Sequence, residues 1–391
     1  MPRWRDSIVP SLIGWVWARL CIALGFLIAG QTVTVLDNPG GRTMIRQGLF
    51  VWDGAYYRVL SQVWYGGANP DAARFFPLYP QLARLLAPVF GGNDEIALLV
   101  ISNLSALLGA MVLWMLTAEM LERARKRGQN PDVGGGQDPG GGQVSALDSA
   151  IRSTADRSAW MIAIFPAAFV FAYAYTESLA LVLTAGTLLA LLRRQFFVAA
   201  LLAFGAAILR PVGGLLLVAI AVELWECRPR PSLLKSLVAL AAPVAGLVSA
   251  FMWIWASTDD LLRPLRLQGE IRRGFQDPIT RMLEPIGELL KGDFRDTYNL
   301  GFMIVFAFLA YQAVRFRQPR SWLAFMFASL LVLQSSQVTD SLGRYGVIVV
   351  PLVVALAQWA DVRWKQVAYG AGASVMLAWI VSEAMIGRLV P

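Results

Sequence analysis

Apolar stretches long enough to cross the roughly 30 Å hydrocarbon layer as helices recur from one end of the chain to the other. They predict an all-α, polytopic membrane fold with about eleven spans, at 14–36, 96–120, 157–174, 177–192, 195–209, 211–226, 235–256, 299–314, 321–337, 345–361 and 366–386. Tyr175-Thr176-Glu177 and Arg210-Pro211 interrupt what would otherwise be two long helices. A proline after Arg210 biases that residue away from helix, so both interruptions read as tight turns of short hairpins. Arg3 and Arg5 precede the first span as in a signal peptide, but Arg19 interrupts it and no small-residue cleavage site follows. It reads as an uncleaved span.

The polar connections predict sidedness. Arg123–Arg127, Arg193-Arg194, Arg228/Arg230/Lys235, Arg315/Arg317/Arg320 and Arg363/Lys365 would fall on the cytoplasmic side, the positive-inside pattern, with the N-terminus inside and the C-terminus outside. The other side receives two long extracytoplasmic loops, 37–95 and 257–298, and two short turns, 175–177 and 338–344. Residues 1–391 read as one membrane-embedded domain. Within it, 128–143 is dominated by Gly, Pro, Asp and Gln, a composition expected of a flexible cytoplasmic linker. A phosphate-cradling loop would need a preceding strand and a Gly-Lys-Ser/Thr ending, and has neither.

Composition sharpens this picture. With 57% hydrophobic and 15% charged residues, a water-soluble fold is close to excluded. The chain has no histidine, which removes every mechanism in which imidazole carries the proton and leaves acid–base work to carboxylates. Cys21 lies in an apolar run and Cys227 far away beside basic residues, supporting neither a disulfide framework nor a thiolate metal site. The net charge of +8 follows membrane sidedness, so no nucleic-acid partner is expected.

Residues able to do chemistry collect on the outer side. In the first loop, Phe50 to Arg58 leads into Val59, Leu60, Val63 and Trp64, which with Tyr56 predict one apolar face of a helix lying along the membrane surface. Asp53 stands just before that helix, where spacing alone favours an N-cap over a catalytic carboxylate, roles that are compatible. In Arg74-Phe75-Phe76-Pro77-Leu78-Tyr79-Pro80, two prolines predict a helix stop and a rigid aromatic turn, either an interfacial belt or the wall of a groove for an isoprenoid tail. Phe165-Pro166 falls inside a span, with Tyr173, Tyr175, Thr176, Glu177 and Ser178 at its outer end, where Glu177 could simply face water. Arg210-Pro211 and Gly343-Arg344-Tyr345 sit at outer helix ends, as snorkelling anchors or as converging phosphate ligands.

The ordered combination of Trp52-Asp53-Gly54, Phe75-Phe76-Pro77-Leu78-Tyr79-Pro80, Phe165-Pro166, Tyr175-Thr176-Glu177-Ser178, Arg210-Pro211-Val212-Gly213 and Arg344-Tyr345 resembles the PIG-V family, which comprises the second mannosyltransferase of GPI-anchor synthesis and its bacterial relatives. The resemblance covers residues from about 45 to 355. It implies a GT-C glycosyltransferase that uses a lipid-phosphate sugar, with an aspartate of the first outer loop, here Asp53, as the base. Two departures bear on acceptor identity: Arg74 stands where a small residue is commoner, and Arg272-Arg273 where bacterial relatives tend to have tryptophan nearby.

The expectation is an inverting enzyme that moves mannose, or a related hexose, from polyprenyl phosphate to a hydroxyl of a membrane lipid or lipid-linked glycan. It would work at the extracytoplasmic face of a bacterial plasma membrane. Arg210 and Arg344 are expected at the donor phosphate. Trp52, Tyr79, Glu177 and Tyr345 are expected at the substrate, with Glu177 either orienting sugar hydroxyls or holding an arginine. Because the leaving group is a phosphomonoester, arginines can suffice without a metal, and no cofactor is expected beyond the lipid-linked sugar. The competing reading is a transporter or lipid flippase. Such proteins place substrate-binding polar residues near the midplane on broken helices, whereas here they gather at the outer ends.

Overall fold

The structure, a computed structural model, describes residues 3–36, 39–128, 141–271, 277, 280, 284, 287, 297–335 and 341–389. All regular structure among these residues is helical. In chain order the helices are α1 (Ile8–Val35), α2 (Pro39–Gln47), α3 (Asp53–Gly67), α4 (Leu78–Leu86), α5 (Asp94–Lys126), α6 (Gly141–Ala163), α7 (Glu177–Leu192) and α8 (Phe196–Leu209). They continue as α9 (Leu216–Glu226), α10 (Leu233–Thr258), α11 (Arg263–Ile271), α12 (Thr297–Arg315), α13 (Arg320–Gln334), α14 (Leu342–Gly346), α15 (Val350–Trp359) and α16 (Arg363–Met385).

Among the described residues, five helices are long and apolar enough to cross a membrane: α1 with the turn before it, α5, α10, most of α12, and α16. Helices α7, α8, α13 and α15 are apolar but shorter. The outward sides of the long helices are hydrophobic, with Val16, Leu20, Leu24 and Leu27 exposed on α1 and Leu237, Val248 and Met252 exposed on α10. Such a continuous apolar exterior is what a lipid solvent accepts and water does not. Inside, α1 packs on α16, α5 on α6 and α7, and α8 on α7 and α10.

The apolar run 157–174 is not one span. Helix α6 ends at Ala163, because Pro166 lacks an N–H and disfavours helical backbone at Phe165. From Ile164 to Thr176 the chain runs buried, with only a short 3-10 turn at Ala168–Phe171. Its polar backbone is satisfied from neighbouring elements. Ser102 Oγ donates to the carbonyls of Tyr173 at 2.6 Å and Tyr175 at 3.0 Å. Asn103 Nδ2 donates to Ala172 O and Arg19 Nη2 to Phe171 O, both at 3.1 Å, while Ala174 N donates to Leu49 O. Irregular backbone is tolerated at membrane depth only when protein supplies its partners in this way. Arg19, which interrupts the first span, is thereby a strut between α1, α5 and this segment.

Other boundaries also shift. The run 211–226 begins with a 3-10 turn, Pro211–Leu215, before α9, and 345–361 is divided between α14 and α15. Helix α3 buries Tyr57, Leu60, Ser61 and Tyr65, whereas Val59 and Val63 face outward. The apolar face expected to lie along the membrane surface is therefore divided, with Val59 and Val63 exposed and Leu60 buried. The two prolines of 74–80 do not stop a helix: α4 starts at Leu78, and Pro80 falls in the first turn, where a missing N–H costs nothing. Gly141–Gln143, expected within the linker, already belong to α6. The rest of that linker, 129–140, lies outside the described residues, as do Arg272-Arg273 and most of the later part of 257–298.

Candidate active site

Four breaks in helical structure deliver charged side chains to one end of the bundle. Asp53 is the first residue of α3, and Trp52 before it has φ 58° and ψ −123°. A bulky residue with positive φ is strained, a feature that concentrates at functional sites. Glu177 opens α7 at the exit of the irregular segment. Arg210 lies between α8 and the 3-10 turn that starts at Pro211, its backbone extended as a pre-proline residue prefers. Arg344 rides on the five-residue α14 between Gly343 and Gly346. A Cβ at Gly346 would run into the Phe306 ring and one at Gly343 into the Phe302 ring, so both glycines let α14 lie close against α12.

These side chains form one ion-paired cluster. Arg344 Nη1 donates to Asp53 Oδ2 at 2.7 Å, and Arg344 Nη2 donates to the Tyr345 hydroxyl at 2.7 Å. Arg344 Nε lies 3.2 Å from Glu177 Oε1 but off the hydrogen-bonding direction. Arg210 Nη1 contacts the same Glu177 oxygen at 2.6 Å and donates to Thr176 Oγ1 at 3.1 Å. The Tyr345 ring lies 4.8 Å from the Arg210 guanidinium, so Tyr345 joins both arginines, one through its oxygen and one through its face. Tyr175 supplies a second ring, 5.2 Å from Arg344. Two carboxylates balance two guanidinium groups.

Burial alone would push Arg344 down, but the charge of Asp53, followed by Tyr345 and Glu177, holds it well above the usual arginine range. Burial pushes the Tyr57 phenol up; Arg210 opposes this, and Glu177 and Asp53 reinforce it. Both groups therefore keep their protons through neutral and mildly alkaline pH.

Glu177 does not face water: it is 2% exposed and serves both arginines. Arg210 and Arg344 are not snorkelling anchors, since both turn inward and Arg344 is 5% exposed. Asp53 is not the cap of α3. That position is Trp52, which makes no side-chain cap hydrogen bond, and the Asp53 carboxylate goes to Arg344. Trp52 is half-buried, with its indole N–H directed at Ala384 O at 3.3 Å. Tyr79 stands behind the cluster: it is fully buried, donates to Leu98 O at 2.9 Å and meets Tyr57 edge-on at 5.1 Å. Tyr57 was not singled out by the sequence pattern. Its hydroxyl lies 3.5 Å from Thr176 Oγ1, and the available signal was its spacing, one helical turn beyond Asp53.

A small cavity of about 30 Å³ adjoins Arg210 and Tyr345, walled by Thr184, Val212, Phe325 and Leu333. Among the described residues no group of three or more His, Cys, Asp or Glu side chains comes together as a metal site would require.

No family model and no curated protein matches the chain. Among solved structures, the oligosaccharyltransferase of Archaeoglobus fulgidus, crystallised with zinc and sulfate, is 14% identical with a TM-score of 0.44; the alignment covers 94% of this chain and 53% of that one. The archaeal oligosaccharyltransferase AglB of the same organism, in complex with an inhibitory peptide and a dolichol-phosphate, gives 14% identity and a TM-score of 0.44 over 95% of this chain and 56% of that one. The chain thus spans about half the length of the solved structures it matches.

Proposed function

We propose that the chain is an inverting glycosyltransferase that moves a hexose, mannose in the first instance, from polyprenyl phosphate to a hydroxyl of a membrane-associated acceptor on the extracytoplasmic side. The observation that carries this reading is the contact of Asp53 with buried Arg344, inside a charge-balanced cluster at the end of an apolar bundle. An acceptor oxygen attacks the anomeric carbon while the bond from that carbon to the phosphate oxygen breaks, and the acceptor proton passes to Asp53. The lipid phosphate leaves with the bonding electrons, and in-line displacement turns a β-linked donor into an α-glycoside.

Arg344 links the two halves of this reaction. A phosphate arriving at its fork competes with Asp53 for the same N–H groups, so donor binding frees the carboxylate to accept a proton. Glu177 keeps Arg344 and Arg210 together while that exchange occurs. Membrane orientation enters as part of the proposal: a site on the outer side has lipid-linked sugars within reach rather than cytoplasmic nucleotide sugars.

Purified full-length protein incubated with radiolabelled polyprenyl-phosphate mannose and membrane lipid extract should transfer label. Asp53→Asn should reduce transfer by roughly 10²–10⁴-fold, the usual contribution of a positioned base. Wild-type turnover in a folded Asp53→Asn variant would remove Asp53 as the base, and transfer from a nucleotide sugar alone would overturn the donor class.

A further inference from the structure

The cluster has no charge left for an incoming anion. Asp53 and Glu177 offset Arg210 and Arg344; both terminal nitrogens of Arg344 donate to Asp53 and Tyr345, and Nη1 of Arg210 is engaged by Glu177 and Thr176. One more cation lies nearby. Arg74 ends the 3-10 turn Pro70–Arg74 in the first loop, half-buried, with its guanidinium 5.0 Å from the Tyr56 ring and 4.7 Å from the Phe75 ring. Its Nε is buried without a hydrogen-bond partner, and no ion pair engages it among the described residues.

The location ties Arg74 to the site. Tyr56 follows Asp53 by three positions on α3 and so shares its helix face. Tyr56 stacks on Phe75 at 4.8 Å, and Tyr57 meets the same ring edge-on at 5.1 Å while reaching towards Thr176, the partner of Arg210. Stacking uses the face of a guanidinium and leaves its in-plane N–H donors unspent. An aromatic-held arginine of this kind is pre-ordered and partly dehydrated, which strengthens a charge-assisted hydrogen bond to an anion.

We infer that Arg74 is a further recognition residue for a lipid-borne phosphate ester, receiving a phosphate oxygen with N–H groups that no carboxylate contests. The inference rests on the glycosyltransferase reading above and deepens it: Arg74 supplies the unbalanced positive charge that the neutral cluster lacks. Arg74 touches the phosphate, whereas Tyr56 and Phe75 act as positioning residues that hold its plane.

Equilibrium binding of farnesyl phosphate, farnesol and inorganic phosphate to the purified full chain tests this without requiring turnover. Wild type should favour farnesyl phosphate over farnesol by at least about tenfold, as a charged hydrogen bond would give. Arg74→Met keeps the stem against the rings and should lose most of that preference while farnesol affinity stays unchanged; Arg74→Lys should keep part of it. Arg74→Gln carries the same comparison if the methionine variant fails to fold. A wild-type preference that survives in Arg74→Met or Arg74→Gln overturns the role of Arg74 alone. No preference in wild type overturns the glycosyltransferase reading itself. Tight Arg74-dependent binding of inorganic phosphate, with no gain from the farnesyl chain, would assign the residue to free phosphate and overturn the lipid source.

Discussion

Arg344 and Asp53 are 291 positions apart in the chain and 2.7 Å apart in space. The Arg344 side chain is 5% exposed and that of Asp53 25%, so the carboxylate is the more accessible member of the pair. The contact ties the two side chains together, so any anion that engages this end of the Arg344 fork must compete with Asp53 for it.

That coupling is measurable. Asp53→Asn and Arg344→Gln should each lower the thermal midpoint in detergent, because each leaves a partner charge poorly compensated. The double variant should lose less than the sum, by a coupling of about 0.5–3 kcal/mol. Simple additivity would show that the contact contributes nothing in the folded protein.

Glu177→Gln should be the most destabilising conservative change in the cluster. It leaves two buried arginines with one counter-charge, a situation that typically costs about 3–5 kcal/mol. Thermal unfolding of the variant checks this, and a loss below about 1 kcal/mol would mean that Arg210 draws its compensation from elsewhere.

Gly346→Ala places a methyl group against the Phe306 ring and should cost about 1–3 kcal/mol by overpacking, with a further fall in transfer as α14 moves Arg344 away from Asp53. Gly372→Ala in α16, where a Cβ meets nothing within 4 Å, should be neutral to stabilising. Equal behaviour of the two variants in thermal and transfer assays would contradict the close packing of α14.

The pH profile should be flat on the alkaline side. There is no histidine, and Tyr57 and Arg344 are both pushed upward. A raised pKa means that the protonated form persists as pH climbs, so phenol and guanidinium stay intact beyond the ordinary tyrosine range near pH 10. Measured kcat should hold from about pH 7 to about pH 9. A tenfold decline inside that window would require a titrating group outside this cluster.

Hydrophobic patterning located several helices to within a few residues, as α7, α8 and α10 illustrate. It failed at 164–176, because apolarity reports burial and not conformation: a buried irregular segment has the composition of a span, and its carbonyl partners Ser102, Asn103 and Arg19 are remote in sequence. On α3 the expected apolar face is divided, with Val59 and Val63 exposed as a surface-lying helix requires and Leu60 buried, because apolarity does not distinguish a lipid-facing side chain from a core one. Glu177, Arg210 and Arg344 were legible as charges at the ends of apolar runs. Holding an arginine was one of two roles expected of Glu177, but the pairing of Arg344 with Asp53 was not legible, because that contact closes over hundreds of residues and no local spacing encodes it.

The irregular segment before Glu177 also bears on the order of assembly. Its carbonyls are held by side chains 69 to 152 positions earlier in the chain, on α5 and α1. Glu177 therefore reaches its place only after the N-terminal helices have docked against the middle of the chain, a non-local closure of the sort that forms slowly. The charged cluster is thus completed late, and a nascent chain with its first helices mispaired would carry every residue of the cluster without bringing them together.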